Sequence, residues 1–258
     1  MRPLFAASDM HGHRAEFRDA LRDAGLIDSA GDWSGADARL WVLGDYFDRG
    51  PDGIGVVDDL RHLTGQAAAA GGEVAGLLGN HEAHLLAAHR FGTAPIPGWE
   101  SQEGGYYGAW RNYGGRERDL RRLTEDHLAW LHALPAIALV DGHLLQHCDS
   151  TRYLELGGSV DAVNKAAAGY LADDDPGEWL TFCGRLSGRG ELHSPAVAGG
   201  LLAAFGGSLI VHGHSTLIGC FGLTPEQART PHRYAGGRVL AIDGGVFEGG
   251  RILVTRLL

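Results

Sequence analysis

Gly44-Asp45-Tyr46-Phe47-Asp48-Arg49-Gly50 follows the run Ala38-Arg39-Leu40-Trp41-Val42-Leu43. The upstream run is short and mostly apolar, the pattern of a buried strand, and Gly44, Gly50 and Pro51 fix the loop into which it opens. The polar side chains of the loop therefore leave a strand end together. Two carboxylates with an arginine beside the second suit a site in which one Asp holds a metal, the other tunes a catalytic group, and the arginine clamps phosphate. Taken alone, the same stretch also reads as an Asp-rich turn closed by glycine. The surrounding chain has to decide between the two.

Working outward, the same unit recurs on both sides. Residues 4–8 read as a strand ending in Asp9-Met10-His11-Gly12-His13, and residues 14–24 carry apolar side chains at helical spacing. Residues 74–78 feed Gly79-Asn80-His81-Glu82, and a helix continues over 83–90, while residues 53–63 form the helix after the central loop. Strands alternating with helices imply parallel pairing, with functional loops at the strands' carboxyl ends. Beyond Arg90, residues 91–115 are rich in Gly, Pro, Trp and Tyr without periodicity and read as an irregular insertion. A helix is expected over 120–134. A β-hairpin follows over 136–140 and 143–146, turned by Asp141-Gly142, and it ends at His147-Cys148-Asp149. A second insertion spans 151–205, with helices over 160–171 and 196–205 and a solvated turn at Asp173-Asp174-Asp175-Pro176. Strands return over 208–211, 239–242 and 252–257, the first ending at His212-Gly213-His214. The expected organisation is one domain over 1–258, with insertions at about 91–125 and 151–205.

The chain has 258 residues, 44% hydrophobic and 21% charged, enough for one large buried core. Its net charge of −10 argues against sequence-independent binding to a nucleic-acid polymer, which needs excess Lys and Arg. An acidic surface still admits a small phosphorylated substrate where divalent metals neutralise the pocket. Cys148, Cys183 and Cys220 are odd in number and widely spaced, so they form neither a disulfide framework nor a zinc ribbon. A reducing cytoplasm is the expected compartment, without membrane attachment, because neither a signal-peptide pattern nor a long apolar span is present.

Five strand-end loops carry Asp, His or Asn, each directly after an apolar run: Asp9 to His11, Asp45 to Asp48, Asn80-His81, His147, and His212 to His214. In a layered α/β fold such loops converge on one edge, so residues distant in sequence can share a metal. In this combination Asp9-Met10-His11-Gly12, the Gly44 to Gly50 block, Gly79-Asn80-His81-Glu82, His147 and Gly213-His214-Ser215 resemble the calcineurin-like metallophosphoesterases. The second block is similar to the protein-phosphatase branch and its bacterial relatives, which include the symmetrical dinucleoside tetraphosphate hydrolases. The closing Ala241-Ile242-Asp243-Gly244-Gly245 resembles the end of the bacterial members.

The resemblance implies an α/β fold, a layered β-sandwich of two mixed sheets flanked by helices. It also implies two divalent metal ions, one held by Asp9, His11 and Asp45 and the other by Asp45, Asn80, His147 and His214, with a hydroxide between them attacking phosphorus. Mixed oxygen and nitrogen ligands suit Mn first, with Fe or Zn as alternatives. His81 would protonate the leaving oxygen, Asp48 would hold its other ring nitrogen, and Arg49 would grip phosphate with a second arginine, Arg185, chosen over Arg152 and Arg189. The implied activity is hydrolysis of phosphomonoesters, on a phosphoprotein or a small phosphorylated metabolite. The alternative is a symmetrical dinucleoside polyphosphate hydrolase, and a non-catalytic metal-binding protein is a third reading. Thr216 stands where many members carry another His, leaving three protein ligands for the first ion. Cys148-Asp149 replaces small residues near the pocket. Trp99, Tyr106, Tyr107, Trp110 and Tyr113 suit either a platform for a nucleobase or peptide, or the small core of the insertion.

Overall fold

A computed structural model describes residues 2–258. One sheet has the order β3-β2-β1-β9, from β1 (Leu4–Ala7), β2 (Arg39–Val42), β3 (Glu73–Gly76) and β9 (Thr255–Arg256). The first three strands are parallel and β9 is antiparallel to β1. The other sheet has the order β4-β5-β6-β8-β7, from β4 (Ile137–Val140), β5 (His143–Gln146), β6 (Leu209–His212), β7 (His232–Tyr234) and β8 (Val239–Ala241). Its middle strands β5, β6 and β8 are parallel, with β4 and β7 antiparallel at the edges. The fold is the expected α/β arrangement of two mixed sheets flanked by helices.

Side-chain alternation explains how the layers stack, because successive residues of a strand point to opposite faces. Ala6, Leu43 and Leu77 from one sheet meet Ala138, Leu145, Leu209, Val211, Leu240 and Ile242 from the other in a buried cluster. Their chain neighbours Leu40, Val42, Leu144 and Ile210 belong instead to the larger core shared with helix residues such as Phe17, Val57 and Leu60. Strands buried on both faces read as unbroken apolar runs, which is why they were visible in the sequence.

Each parallel strand of the first sheet leads through a loop into a helix: α1 (Arg14–Asp23), α2 (Gly53–Ala69) and α3 (Asn80–Phe91). Asp52 caps α2, its Oδ1 accepting the Gly55 N–H at 3.0 Å. This helix runs past residue 63 because Gln66-Ala67-Ala68-Ala69 are strong helix formers. At the hairpin turn Asp141 and Gly142 have φ of 46° and 78°, as a primed turn requires.

The insertions depart from expectation. The stretch 91–115 contains a helix, α4 (Gly105–Asn112), whose buried face is Tyr106, Ala109 and Trp110; its glycines masked that helical spacing. The helix expected over 120–134 is two, α5 (Glu117–Arg122) and α6 (Glu125–His132). Leu123 turns extended, and the Thr124 hydroxyl accepts the His127 N–H at 3.3 Å, starting a new helix. The second insertion holds α7 (Val160–Ala172) and α9 (Pro195–Phe205) near their expected places, and also α8 (Pro176–Arg185). Asp175 caps α8 with Pro176 at its first position, a helix start that had been read only as a turn. Strand β7 was not expected, and β9 is shorter than the run 252–257. Among the described residues no helix is long and apolar enough to cross a membrane.

Cys148 and Cys183 are buried and burial pushes both thiols up to about 12, whereas Cys220 is exposed. A small maleimide should therefore label Cys220 alone in the native protein and all three thiols after denaturation. Rapid native labelling of Cys148 or Cys183, read by peptide mass spectrometry, would contradict this packing.

Candidate metal and catalytic site

The loops after β1, β2, β3, β5 and β6 deliver Asp9, His11, Asp45, Asp48, Asn80, His81, His147 and His214 to one edge of the sandwich, all buried. Their backbone is unusual. Six of the nine non-glycine residues with positive φ among the described residues are Asp9 (54°), His11 (44°), Asp45 (57°), Asp48 (71°), Arg49 (62°) and His214 (63°). Such a conformation costs on the order of 1–3 kcal/mol per residue and persists only where neighbouring structure over-determines it.

The fixing bonds run from loop to loop. His11 and Gly12 donate their N–H groups to the carbonyls of Asp45 and Tyr46 at 2.9 and 2.8 Å, and Gly50 donates to the His11 carbonyl at 2.8 Å. The buried Glu82 carboxylate accepts N–H groups from Asp45 (2.8 Å), Tyr46 (2.8 Å) and Gly79 (3.0 Å), binding the loops after β2 and β3 together. The His214 N–H donates to Asp9 Oδ2 at 2.9 Å, which joins the two sheets. Gly44, at φ 95°, allows the closest approach: a Cβ there would lie 2.7 Å from the backbone of Gly79.

The side chains form two overlapping groups that share Asp45. Asp9, Asp45, His147 and His214 each offer one ligand atom within 4.8 Å of the others, and so do His11, Asp45 and His81. His147 Nδ1 donates to the Leu43 carbonyl at 2.7 Å, which leaves its Nε2 bare. That nitrogen faces Asn80 Oδ1 at 2.9 Å, His214 Nδ1 at 3.1 Å and Asp45 Oδ1 at 3.4 Å. His11 likewise turns Nδ1 to the Phe47 carbonyl at 3.1 Å. Burial lowers His11 and His214 well below the usual histidine range, helped for His11 by His81 and Arg49 and for His214 by His147 and Arg189. Imidazole nitrogens and carboxylate and amide oxygens thus converge, and the side-chain donors that reach them are the Arg49 guanidinium and the Ser8 hydroxyl. A divalent cation is the chemistry that makes such a donor-poor cluster favourable, so the residues fit the metals.

Beside this cluster, His81 Nδ1 bonds Asp48 Oδ2 at 2.6 Å, and Asp48 Oδ1 accepts the Trp110 indole N–H at 2.9 Å. Burial lowers His81 to about 4, against the opposing pull of Asp45. Burial also raises Asp48 well above the carboxylate range, against the opposing Trp110 bond. Arg49 points its guanidinium at both imidazoles, 2.8 Å from His11 Nε2 and 3.3 Å from His81 Nε2, and lies over the Phe247 ring at 3.9 Å. Trp110 divides the aromatic insertion: it and Tyr106 are core, while Trp99 and Tyr113 are exposed. Its contact with Asp48 was not legible, because nothing in a Gly- and aromatic-rich stretch marks one indole from another.

Arg185 does not reach the cluster. Its Nε bonds Glu155 at 3.1 Å and its Nη1 bonds the Tyr170 hydroxyl at 2.5 Å, since α8 turns that face toward α7. Arg189, just beyond α8, instead donates to the His214 carbonyl. His212 is engaged at both ring nitrogens, by the Gly213 carbonyl and the Tyr234 hydroxyl at 2.8 Å each, and belongs to neither ligand group. The Thr216 hydroxyl bonds Glu248 at 2.7 Å. Cys148 and Asp149 point inward; Asp149 accepts from Ser215 at 2.5 Å and Gly190 at 2.8 Å, tying the His214 loop to the second insertion.

Carboxylates and imidazoles gathered at the strand ends of a two-sheet α/β fold define a class, the phosphoesterases that work with divalent metals. The chain belongs to the calcineurin-like phosphoesterase family, whose profile matches residues 2–216. The family uses divalent metals, and the buried Asp/His cluster of this chain could hold them. Shewanella-like protein phosphatase 2 of Arabidopsis thaliana is 38% identical over 79 residues, covering 31% of this chain and 20% of that protein. The symmetrical bis(5'-nucleosyl)-tetraphosphatase of Aromatoleum aromaticum is 30% identical over 151 residues, covering 56% of this chain and 43% of that one. The alignments thus span less than half of either relative's length. A cold-active protein tyrosine phosphatase shares the fold, with a TM-score of 0.72 at 23% identity over 97% of this chain and 72% of that chain.

Glu82→Gln should test the loop-fixing bonds, because the amide turns a donor toward backbone N–H groups and leaves at least one of them unsatisfied. The expected cost is about 2 kcal/mol in chemical denaturation, with reduced metal content in the purified protein. Unchanged stability and metal content would remove Glu82 from this role.

Proposed function

We propose that the protein is a metal-dependent phosphomonoesterase acting on a phosphoprotein or a small phosphorylated metabolite. The observation that carries this reading is the His81–Asp48 pair set beside the buried cluster, with Arg49 spanning His11 and His81. Asp9, His11 and Asp45 would hold one divalent ion, and Asp45, Asn80, His147 and His214 the other. Mn is the proposed metal, with Fe or Zn as alternatives. When bound, such ions neutralise phosphoryl charge and make water nucleophilic at neutral pH.

The chain's own residues do the rest. The Arg49 fork binds two phosphate oxygens, and Arg189 takes the place assigned from sequence to Arg185 as the second phosphate-binding arginine. Asp48 holds His81 Nδ1, so that Nε2 faces the reacting group and delivers a proton to the leaving oxygen. Burial makes protonated His81 a strong acid, and an arriving phosphate dianion offsets the nearby Arg49 charge that disfavours its protonation. A single domain spans residues 1–258. Three free cysteines fit a reducing cytoplasm.

A second reading is a symmetrical dinucleoside polyphosphate hydrolase, favoured by the tetraphosphatase relative that aligns with more than half of this chain. Turnover of p-nitrophenyl phosphate and of a dinucleoside tetraphosphate, each with manganese and with EDTA, separates the two. Manganese-dependent monoester turnover supports the first, and turnover of the tetraphosphate alone supports the second.

His81→Ala should lower kcat by about a hundredfold or more while two metal ions per chain are retained. Metal loss in that variant, by elemental analysis, would overturn its assignment as an acid. Asp45→Asn should deplete both ions together, and full occupancy would exclude a shared ligand.

A further inference from the structure

Beside Arg49 lie two adjoining cavities that the cleavage of one phosphoryl group does not use. One, of about 530 Å³, is lined by His13, Arg49, Gly50, Arg116 and Arg118 among others. The next, of about 470 Å³, is lined by His13, Arg49, Arg111, Arg116 and Phe247 among others. The chain is acidic overall, and several arginines elsewhere pair with carboxylates, such as Arg14 with Asp59 at 2.7 Å and Arg122 with Asp52 at 2.6 Å. Among the described residues Arg49, Arg111, Arg116 and Arg118 have no carboxylate within 4.0 Å; Glu117, in the same wall, is paired with Arg121 at 2.9 Å.

These guanidiniums instead donate to backbone carbonyls, Arg116 to Arg49, Arg118 to Gly50 at 3.2 Å, and Arg111 to Gly115. Each retains further N–H groups for a ligand. Four uncompensated cations around one opening repel each other, and a multiply charged anion reverses that cost. Planar guanidinium forks match phosphoryl oxygens better than any neutral group.

We propose that this arginine-lined groove is an accessory anion subsite, which holds a second phosphoryl group of the substrate while Arg49 holds the one cleaved. The proposal rests on the phosphoesterase reading and deepens it: the preferred substrate carries two or more phosphoryl groups. The residues that distinguish it, Arg111, Arg116 and Arg118, lie in and just after the first insertion.

The test compares inorganic tripolyphosphate with orthophosphate as competitive inhibitors of p-nitrophenyl phosphate hydrolysis, with metal held in excess over total phosphate. Tripolyphosphate should bind about tenfold or more tightly than orthophosphate. That ratio should fall about tenfold in Arg118→Ala and further in the Arg116→Ala/Arg118→Ala pair, the loss expected for one charge-assisted bond or more. An unchanged ratio overturns the subsite. So does an equal loss of both affinities together with turnover, which would make the arginines supports for the Arg49 loop. If the metal-loaded protein leaves p-nitrophenyl phosphate untouched, calorimetric titration with tripolyphosphate still reads the subsite. Wild-type binding lost in the double variant would uphold it while the monoesterase reading fails, and no wild-type binding would end both.

Discussion

Glu82 is the constraint on which the site depends. Its carboxylate takes three backbone N–H groups from the loops after β2 and β3, in a position with no access to water. A buried carboxylate is costly unless its oxygens are bonded, and here two of the three bonding groups belong to the loop that presents Asp45. Asp45 is in turn the one carboxylate common to both ligand groups. The left-handed conformations at Asp45, Asp48 and Arg49 would relax in an isolated loop. They hold because Glu82 binds one side of that loop and the backbone of His11 and Gly12 binds the other.

The sandwich and the central site were legible because they obey strong local rules. Strands buried on both faces have continuous apolar sequences, and Leu4 to Ala7, Arg39 to Val42 and Leu209 to His212 fall where those runs predict. Polar residues directly beyond such runs must emerge at one edge, so the sequence alone groups Asp9, Asp45, Asn80, His147 and His214. The insertions obey weaker rules. In α4 glycine content hid an apolar face that tertiary packing makes decisive, and at Leu123 a threonine cap ended a helix that periodicity alone would continue. Arg185 was misplaced for the same reason: which face of α8 meets α7 is set by Tyr170, Phe182 and Glu155, a long-range match with no signature in local sequence.

Electrostatics divides the protein into two regimes. On much of the helical surface acidic and basic side chains pair, as in the Arg14, Asp52, Asp59 and Arg122 network. Exposed pairs of this kind contribute little to stability and mainly keep the surface soluble. Around the site mouth the pairing stops. Cations there face carbonyl oxygens; of the acidic groups nearby, Asp9, Asp45 and Asp48 are buried in the cluster behind and Glu117 is paired with Arg121. An anion approaching a chain of net charge −10 would therefore meet a favourable field at this opening, where arginine forks are unscreened by partner carboxylates.

The first insertion connects these two properties. Helix α4 sends Trp110 inward to Asp48 and carries Arg111 on the next residue, exposed at the groove; Arg116 follows just after and donates to the carbonyl of Arg49. One short segment thus contacts the carboxylate bonded to His81, the backbone of Arg49, and the wall of the neighbouring cavity. Trp110 is fully buried, so it cannot shift without disturbing the core around it. An insertion locked in that way can differ at Arg111, Arg116 and Arg118 without altering the sheets or the metal-capable cluster. Substrate choice would then vary through the exposed side of the segment, while its buried side keeps the His81–Asp48 pair in place.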